Sequence, residues 1–440
     1  MITVFILIIL VLLYWPISNY LLDLSNLSES FLLKHLIAFW LVACLSSLLF
    51  FIAVVSSGNH MLFQTIQIFI IPLSLFLIRK SAETYYVQMK RFLSDRLTSV
   101  QLLLILCFLM LMWQESSWGG SWYDSKAIWN MHSRFLWAGW GFENMKSTFH
   151  PDYPLLLPSM VALLNYFSDY FDLTYAFLVN NLIGISVLIL LTEIAKLRNN
   201  LIMLLFSGTF LFSMPEFSWL LALQMADILQ GLFFSISILF LIQYLNNEKD
   251  EIFYAYLFFL VFSCWVKNEG LIFLGLNFAF WVYYAIKNQR FSKFTIVAVI
   301  SIIVFSLLTW YKIYFGFEND MAQVSLTQIK SFLIDRSRYV TTLQYFKAIV
   351  VTNFVPGFLT ILVFPFFYGF KTAHYRMVYF MLLGLLICYL GIYIITINEL
   401  TWHIRTSMSR LIIQFLLPTI TAVFLLPNNL ILKQDHFKIK

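Results

Sequence analysis

Apolar runs fall near 2–22, 35–56, 61–78, 98–113, 176–195, 200–214, 225–245, 252–266, 270–286, 294–315, 348–369, 377–397 and 411–427. No other feature constrains the fold as much. A helix crosses the hydrocarbon core with about 20 mostly apolar residues, and a backbone in lipid must satisfy its own hydrogen bonds. The length rule makes about thirteen of these runs candidate spans. They are continuously apolar rather than alternating with period two, which argues against a membrane β-barrel. Only 11% of the 440 residues are charged, against roughly 25% in soluble domains. The expected fold is an all-α polytopic membrane protein with about thirteen transmembrane helices. The runs near 200–214 and 252–266 are short, so each is expected to tilt little or to cross incompletely.

Residues 1–22 lack a basic leader region and a small-residue cleavage site, so they read as a first span rather than a signal peptide. Cys44, Cys107, Cys264 and Cys388 all lie in apolar runs and read as small core residues, not as a disulfide or metal set. The net charge of +6 is explained by where the cations sit on the membrane, and no basic, aromatic-interleaved face suggests nucleic acid. Lys and Arg concentrate in 79–96, 287–293 and the tail at Lys438 and Lys440, with Lys196, Arg198, Lys249, Lys371 and Arg376 in other connectors. If the runs alternate, all of these share one side, which the positive-inside rule makes cytoplasmic. The opposite, extracytoplasmic side then holds 113–175, 267–270, 316–347 and 398–410. This divides the chain into N-terminal spans with a basic connector (1–97), a main membrane region carrying those loops (98–427) and a cytoplasmic tail (428–440).

The polar stretch Trp113–Pro158 lies on the extracytoplasmic side and carries Glu115, Asp124, Lys126, His132, Arg134, Glu143, Lys146, His150 and Asp152 among tryptophans. Asp124 can take a proton from a hydroxyl or hold that hydroxyl for attack. Trp122, Tyr123 and Trp129 can wall such a site, and equally can anchor an interfacial helix at headgroup depth. In His150-Pro151-Asp152-Tyr153-Pro154 the prolines hold the His and Asp on a stiff turn. That pair can ligate a metal, orient an acceptor, or cap the helix that follows. Asp227 begins an apolar run, where a carboxylate is either functional or a favourable helix N-terminal charge. In Lys267-Asn268-Glu269-Gly270 the turn explains Gly and Asn. Lys267 and Glu269 either pair with each other or leave Lys267 to bind phosphate. If 402–411 is helical, His403, Ser407 and Arg410 share one stripe, suited to an anion or to snorkelling at a helix end. Arg336 and Arg338 add possible anion contacts. No Gly-rich nucleotide loop and no G-x-S-x-G is present.

Five ordered segments resemble the lipid-linked-sugar glycosyltransferases of the glycosyltransferase-C superfamily, in a bacterial, uncharacterised branch. They are D-x-x-x-x-W at Asp124 and Trp129, H-P-D-Y-P-x-L-x-P at 150–158, A-D at 226–227, K-N-E-G at 267–270, and H-x-x-x-S-x-x-R-L-x-x-Q at 403–414. The resemblance spans residues 110–420. His132 departs from it, standing where a Lys is expected, and four runs precede Asp124 where the superfamily has fewer. The resemblance implies a polyprenyl-phosphate-sugar donor, an inverting transfer on the extracytoplasmic face of a bacterial inner membrane, and a glycolipid, polysaccharide or protein acceptor. It makes Asp124 and Asp152 the catalytic carboxylates, with His150, Tyr153, Trp129 and Asp227 in support. It makes Lys267, His403 and Arg410 the donor-phosphate cations. Some members use a divalent metal, and nothing in this sequence requires one. Two alternatives from the same residues are an O-antigen ligase or polymerase and a transporter or lipid flippase.

Overall fold

The computed structural model describes residues 31–57, 90, 92, 94–115, 123–139, 142–166, 168, 170–197, 200–317, 325–359 and 373–425. The expected runs 2–22 and 61–78, most of the 79–96 connector, Trp122, part of 348–369 and the tail 428–440 lie outside these residues. All regular structure among the described residues is helical.

In chain order the main helices are α1 (Phe31–Ser57), α2 (Arg96–Glu115), α3 (Asn130–Ala138), α4 (Leu156–Asn165), α5 (Thr174–Leu197), α6 (Leu201–Phe212), α7 (Pro215–Ala222), α8 (Asp227–Asn247), α9 (Asp250–Val266), α10 (Glu269–Asn288), α11 (Phe291–Phe315), α12 (Leu326–Ile334), α13 (Arg336–Ile349), α14 (Ala373–Ile395) and α15 (Leu400–Leu425). Seven are long and apolar enough to cross a membrane: α1, α5, α8, α10, α11, α14 and α15, within bounds of a residue or two. The run expected at 200–214 is a broken element. α6 and α7 meet at a 60° bend, where Met214 is extended and Pro215 opens α7; proline suits a first helical turn and cannot continue the one before it. α9, the other short run, has 17 residues.

The expected extracytoplasmic loops are largely helical. The 113–175 stretch contains α3, α4 and a π turn at Ser125–Trp129. The 316–347 stretch holds α12, closed by a Ser325–Gln328 capping box, and most of α13, capped by Asp335. The 398–410 loop is mostly the first turns of α15.

α8 is the centre of the bundle, with every residue from Asp227 to Leu245 buried. It packs on α15 and α9. A Cβ at Gly231 would stand 2.8 Å from Leu417 Cδ1, so the small residue sets how closely α8 and α15 approach. The outside is apolar. α11 exposes Ile302, Phe305, Leu307 and Ile313, and α2 exposes Leu103, Leu106 and Met110. Contiguous apolar faces of this extent do not persist in water and match lipid. The protein is an integral membrane protein. Two expected core cysteines divide from the others: Cys44 and Cys264 are buried, Cys107 is exposed and Cys388 is half-buried.

The sharpest packing constraint lies where α9 turns into α10. A Cβ at Gly270 would meet the Ser263 carbonyl oxygen at 2.3 Å and Cys264 Cα at 2.7 Å. Both are backbone atoms, so they cannot swing aside. Gly275 and Gly391 have nothing within 4 Å of that position. Gly270→Ala is expected to destabilise the protein by about 1–3 kcal/mol or more, measured as detergent-solubilised thermal unfolding. Gly275→Ala is expected to leave the transition unchanged.

Candidate functional site

The site is built at one end of the bundle, around the α9–α10 turn. α9 stops at Val266 because Lys267 is extended, with φ −153° and ψ 161°, and the Gly270 N–H donates to the Lys267 carbonyl at 3.0 Å. This sends the Lys267 side chain inward. Its Nζ lies 2.8 Å from Asp227 Oδ1 and 2.9 Å from Glu269 Oε1. Asp227, in the first turn of α8, also accepts from Gln414 Nε2 at 2.7 Å. Gln414 Oε1 in turn accepts from the Tyr389 hydroxyl at 2.9 Å. One chain of polar contacts therefore ties α8, α14, α15 and the turn together. Burial disfavours a charge on Lys267, but Asp227 and Glu269 outweigh it and hold the ammonium pKa above its usual value. Of the two open readings of this turn, the pairing of Lys267 with Glu269 is present, and Asp227 is a second partner that was not expected.

A second cluster stands beside it. The Tyr153 N–H donates to the His150 carbonyl at 3.1 Å, and His150 takes φ +49°, a left-handed conformation that is uncommon outside glycine. The turn delivers Asp152 into the bundle, where it is 3% exposed. Asp152 Oδ2 accepts from Asn268 Nδ2 at 2.9 Å and from Lys312 Nζ at 3.3 Å. Lys312 Nζ also reaches Asn268 Oδ1 at 2.8 Å. Asp152 does not cap the next helix: α4 begins after Leu155 and has no side-chain cap. The Tyr153 ring stacks on His150 at 4.8 Å and lies 5.6 Å from Trp129. Lys267 Nζ is 6.0 Å from its centroid. Burial pushes the Tyr153 phenol pKa up, so it stays a neutral hydroxyl.

The third pair closes the site. Arg410 Nη1 donates to Asp124 Oδ2 at 2.7 Å, and both side chains keep partial access, 18% and 26%. The Asp124 backbone leads into the π turn, where Ser125 Oγ donates to the Leu223 carbonyl and Asn130 Nδ2 donates to Gln224 Oε1 at 2.8 Å. Gln224 has φ +58°. These contacts dock the segment on the α7–α8 connector and set Asp124 against α15. Two buried polar atoms here have no hydrogen-bond partner among the described residues: Arg410 Nε and Asp227 Oδ2. A buried polar atom without a partner points to a missing water or ligand.

The expected site residues are only partly brought together. Asp124, Asp152, Asp227, Lys267, Tyr153 and Arg410 converge. His403 shares the Arg410 stripe about two turns away, but its Nδ1 bonds Thr396 Oγ1 at 2.8 Å and its ring meets Tyr393 edge-on at 5.1 Å. Trp129 is 3% exposed; it buttresses Tyr153 from inside and presents no open face for stacking. Tyr123 is exposed and packs on Phe149. His132, where the resemblance expects Lys, is fully buried, with Nε2 3.0 Å from Thr148 Oγ1. Burial, with the charge of His150 adding to it, lowers its pKa to about 4, so it is neutral. Arg338 donates to the Tyr393 carbonyl at 3.3 Å and braces α13 against the end of α14. Lys312 and Tyr389 were not singled out by sequence, and Asn268 was read only as a turn residue. The signal for Lys312 was available: a lone cation in the last turn of an otherwise apolar span. No group of three or more His, Cys, Asp or Glu side chains suited to a metal occurs among the described residues.

The Asp227–Lys267 pair makes a quantitative test. Removing one partner of a buried ion pair leaves an uncompensated charge and costs about 3–5 kcal/mol, whereas replacing both with apolar groups is often neutral. Lys267→Met is expected to lose stability on that scale, and Asp227→Leu added to it is expected to recover most of the loss in a double-mutant cycle of thermal unfolding. The chain matches no protein-family model, no curated protein and no solved structure.

Proposed function

We propose that the protein is a glycosyltransferase that moves a sugar from a polyprenyl-phosphate donor to a hydroxyl acceptor, a glycolipid, polysaccharide or protein, at the extracytoplasmic face of a bacterial inner membrane. The observation that carries this reading is the partly open Asp124–Arg410 pair, set beside the buried Asp227–Lys267 and Asp152–Lys312 pairs. With the ligand between them, the carboxylate serves the acceptor end and the guanidinium the leaving-group end of one displacement. The five-segment resemblance supports the same assignment.

In this reading the acceptor hydroxyl binds at Asp124, which takes its proton as the oxygen attacks the anomeric carbon. The bond from that carbon to the phosphate oxygen breaks, and its electron pair leaves with polyprenyl phosphate. Arg410 meets the developing phosphate charge with a planar fork of donors. Its Nη1 donates to Asp124, and the partly accessible remainder of the guanidinium is offered to the ligand. Attack opposite the leaving group inverts the anomeric configuration. Lys267 acts by holding Asp227, which also feels the Arg410 charge. Asp152, locked by Asn268 and Lys312, fixes the His150–Pro154 turn against the acceptor side. His403 stands about two turns along the α15 stripe as the further donor-side residue expected of the resemblance, with its Nδ1 held by Thr396.

Asp124→Asn keeps the shape of the side chain and removes the base. Purified protein in liposomes, supplied with a polyprenyl-phosphate sugar and a lipid or oligosaccharide acceptor, is expected to lose about 10²–10⁴ of its transfer rate in that variant while remaining folded, as a cooperative unfolding transition shows. Transfer at the wild-type rate by folded Asp124→Asn contradicts the role of Asp124.

A further inference from the structure

At the end of the bundle opposite the site, α10 and α14 enclose an open groove of about 570 Å³. The two helices are held together above it, where a Cβ at Gly384 would stand 3.2 Å from Leu276 Cδ2. Its walls include Leu276, Phe280, Met377 and Phe380, and its rim carries Lys287 and Arg376. Lys287 Nζ lies 5.7 Å from the Tyr283 ring centroid, over the groove wall. Neither cation has a carboxylate partner among the described residues. Two acids at this end are otherwise engaged: Glu248 pairs with Arg290 and Asp250 with Lys293. Two uncompensated cations therefore stand over an apolar slot that opens to the bilayer.

We propose that this groove is a binding site for an anionic phospholipid of the leaflet opposite the catalytic face, with an acyl chain along the apolar walls and the headgroup phosphate at Lys287 and Arg376. Charge complementarity selects this occupant. A zwitterionic lipid gains the same apolar wall, but its own ammonium offsets the attraction to the rim. Basic pockets between spans on the positively charged side are a general way of holding acidic headgroups. The site is independent of the sugar-transfer reading and uses none of its residues.

The test compares phosphatidylglycerol with phosphatidylcholine of identical chains, added to the delipidated full-length protein in detergent. Binding is read by native mass spectrometry and by the shift in unfolding midpoint. Wild type is expected to bind phosphatidylglycerol roughly 10- to 30-fold more tightly, from the attraction of two basic side chains to an anionic headgroup. Lys287→Gln with Arg376→Gln is expected to erase the preference while leaving phosphatidylcholine binding unchanged. Ala279→Trp, which fills the slot, is expected to weaken both lipids with the cations intact. Equal binding of the two lipids by wild type, or a preference that survives loss of both cations, overturns the proposal. So does a concentration-dependent dimer that Ala279→Trp abolishes without any lipid preference, because it assigns the face to a second copy of the chain.

Discussion

A single desolvated ion pair, Asp227 with Lys267, governs how this bundle is put together at its functional end. Neither charge reaches water, so each requires the other. The 2.8 Å contact and its extensions to Glu269, Gln414 and Tyr389 fix α8, α10, α14 and α15 relative to one another. The close approach at Gly270 serves the same end, since only a residue without a side chain lets the turn sit tightly enough to aim Lys267 inward. Such a pair gives little net stability compared with a packed apolar core, and its value lies in specifying one arrangement.

That arrangement leaves the two acidic centres in different states. Asp152 is buried, with its Oδ2 held by Asn268 and Lys312. Asp124 is reachable, with its Arg410 partner partly reachable too. In the proposed reaction the enclosed Asp152 positions and the accessible Asp124 reacts, a division of labour that matches their burial. The opposite end of the protein follows a different rule. Its charges pair at the rim, as in Arg290 with Glu248, and the unpaired remainder lies over an apolar groove.

Much of this was legible in the chain. The membrane class followed from run length, and alternation of the runs brought Asp124, Asp152, Lys267 and Arg410 to one end before any contact was visible. The helical stripe His403–Ser407–Arg410 holds within α15. The partnerships were not legible. Sequence left Lys267 open between Glu269 and a phosphate, and did not show its partner Asp227, 40 residues earlier. Burial, a property of the whole bundle, moved Trp129 from a surface wall to an internal prop. The loops at 316–347 and 398–410 were expected because polar residues interrupt apolar periodicity there. Local caps at Ser325 and Asp335 and continuation of the α15 ladder made them helical instead. Lys312 was hidden in an apolar run whose last turn happens to reach the site.

The central claim is that the Arg410 corner receives the phosphate of a lipid-linked donor. The most direct test is the affinity of polyprenyl phosphate itself for the protein in nanodiscs, compared between wild type and Arg410→Met, with both variants shown to be folded. The account predicts saturable binding by wild type and a loss of at least roughly tenfold in the variant, the scale of one charge-assisted hydrogen bond. Equal affinity in the two proteins, or no binding by wild type, contradicts it.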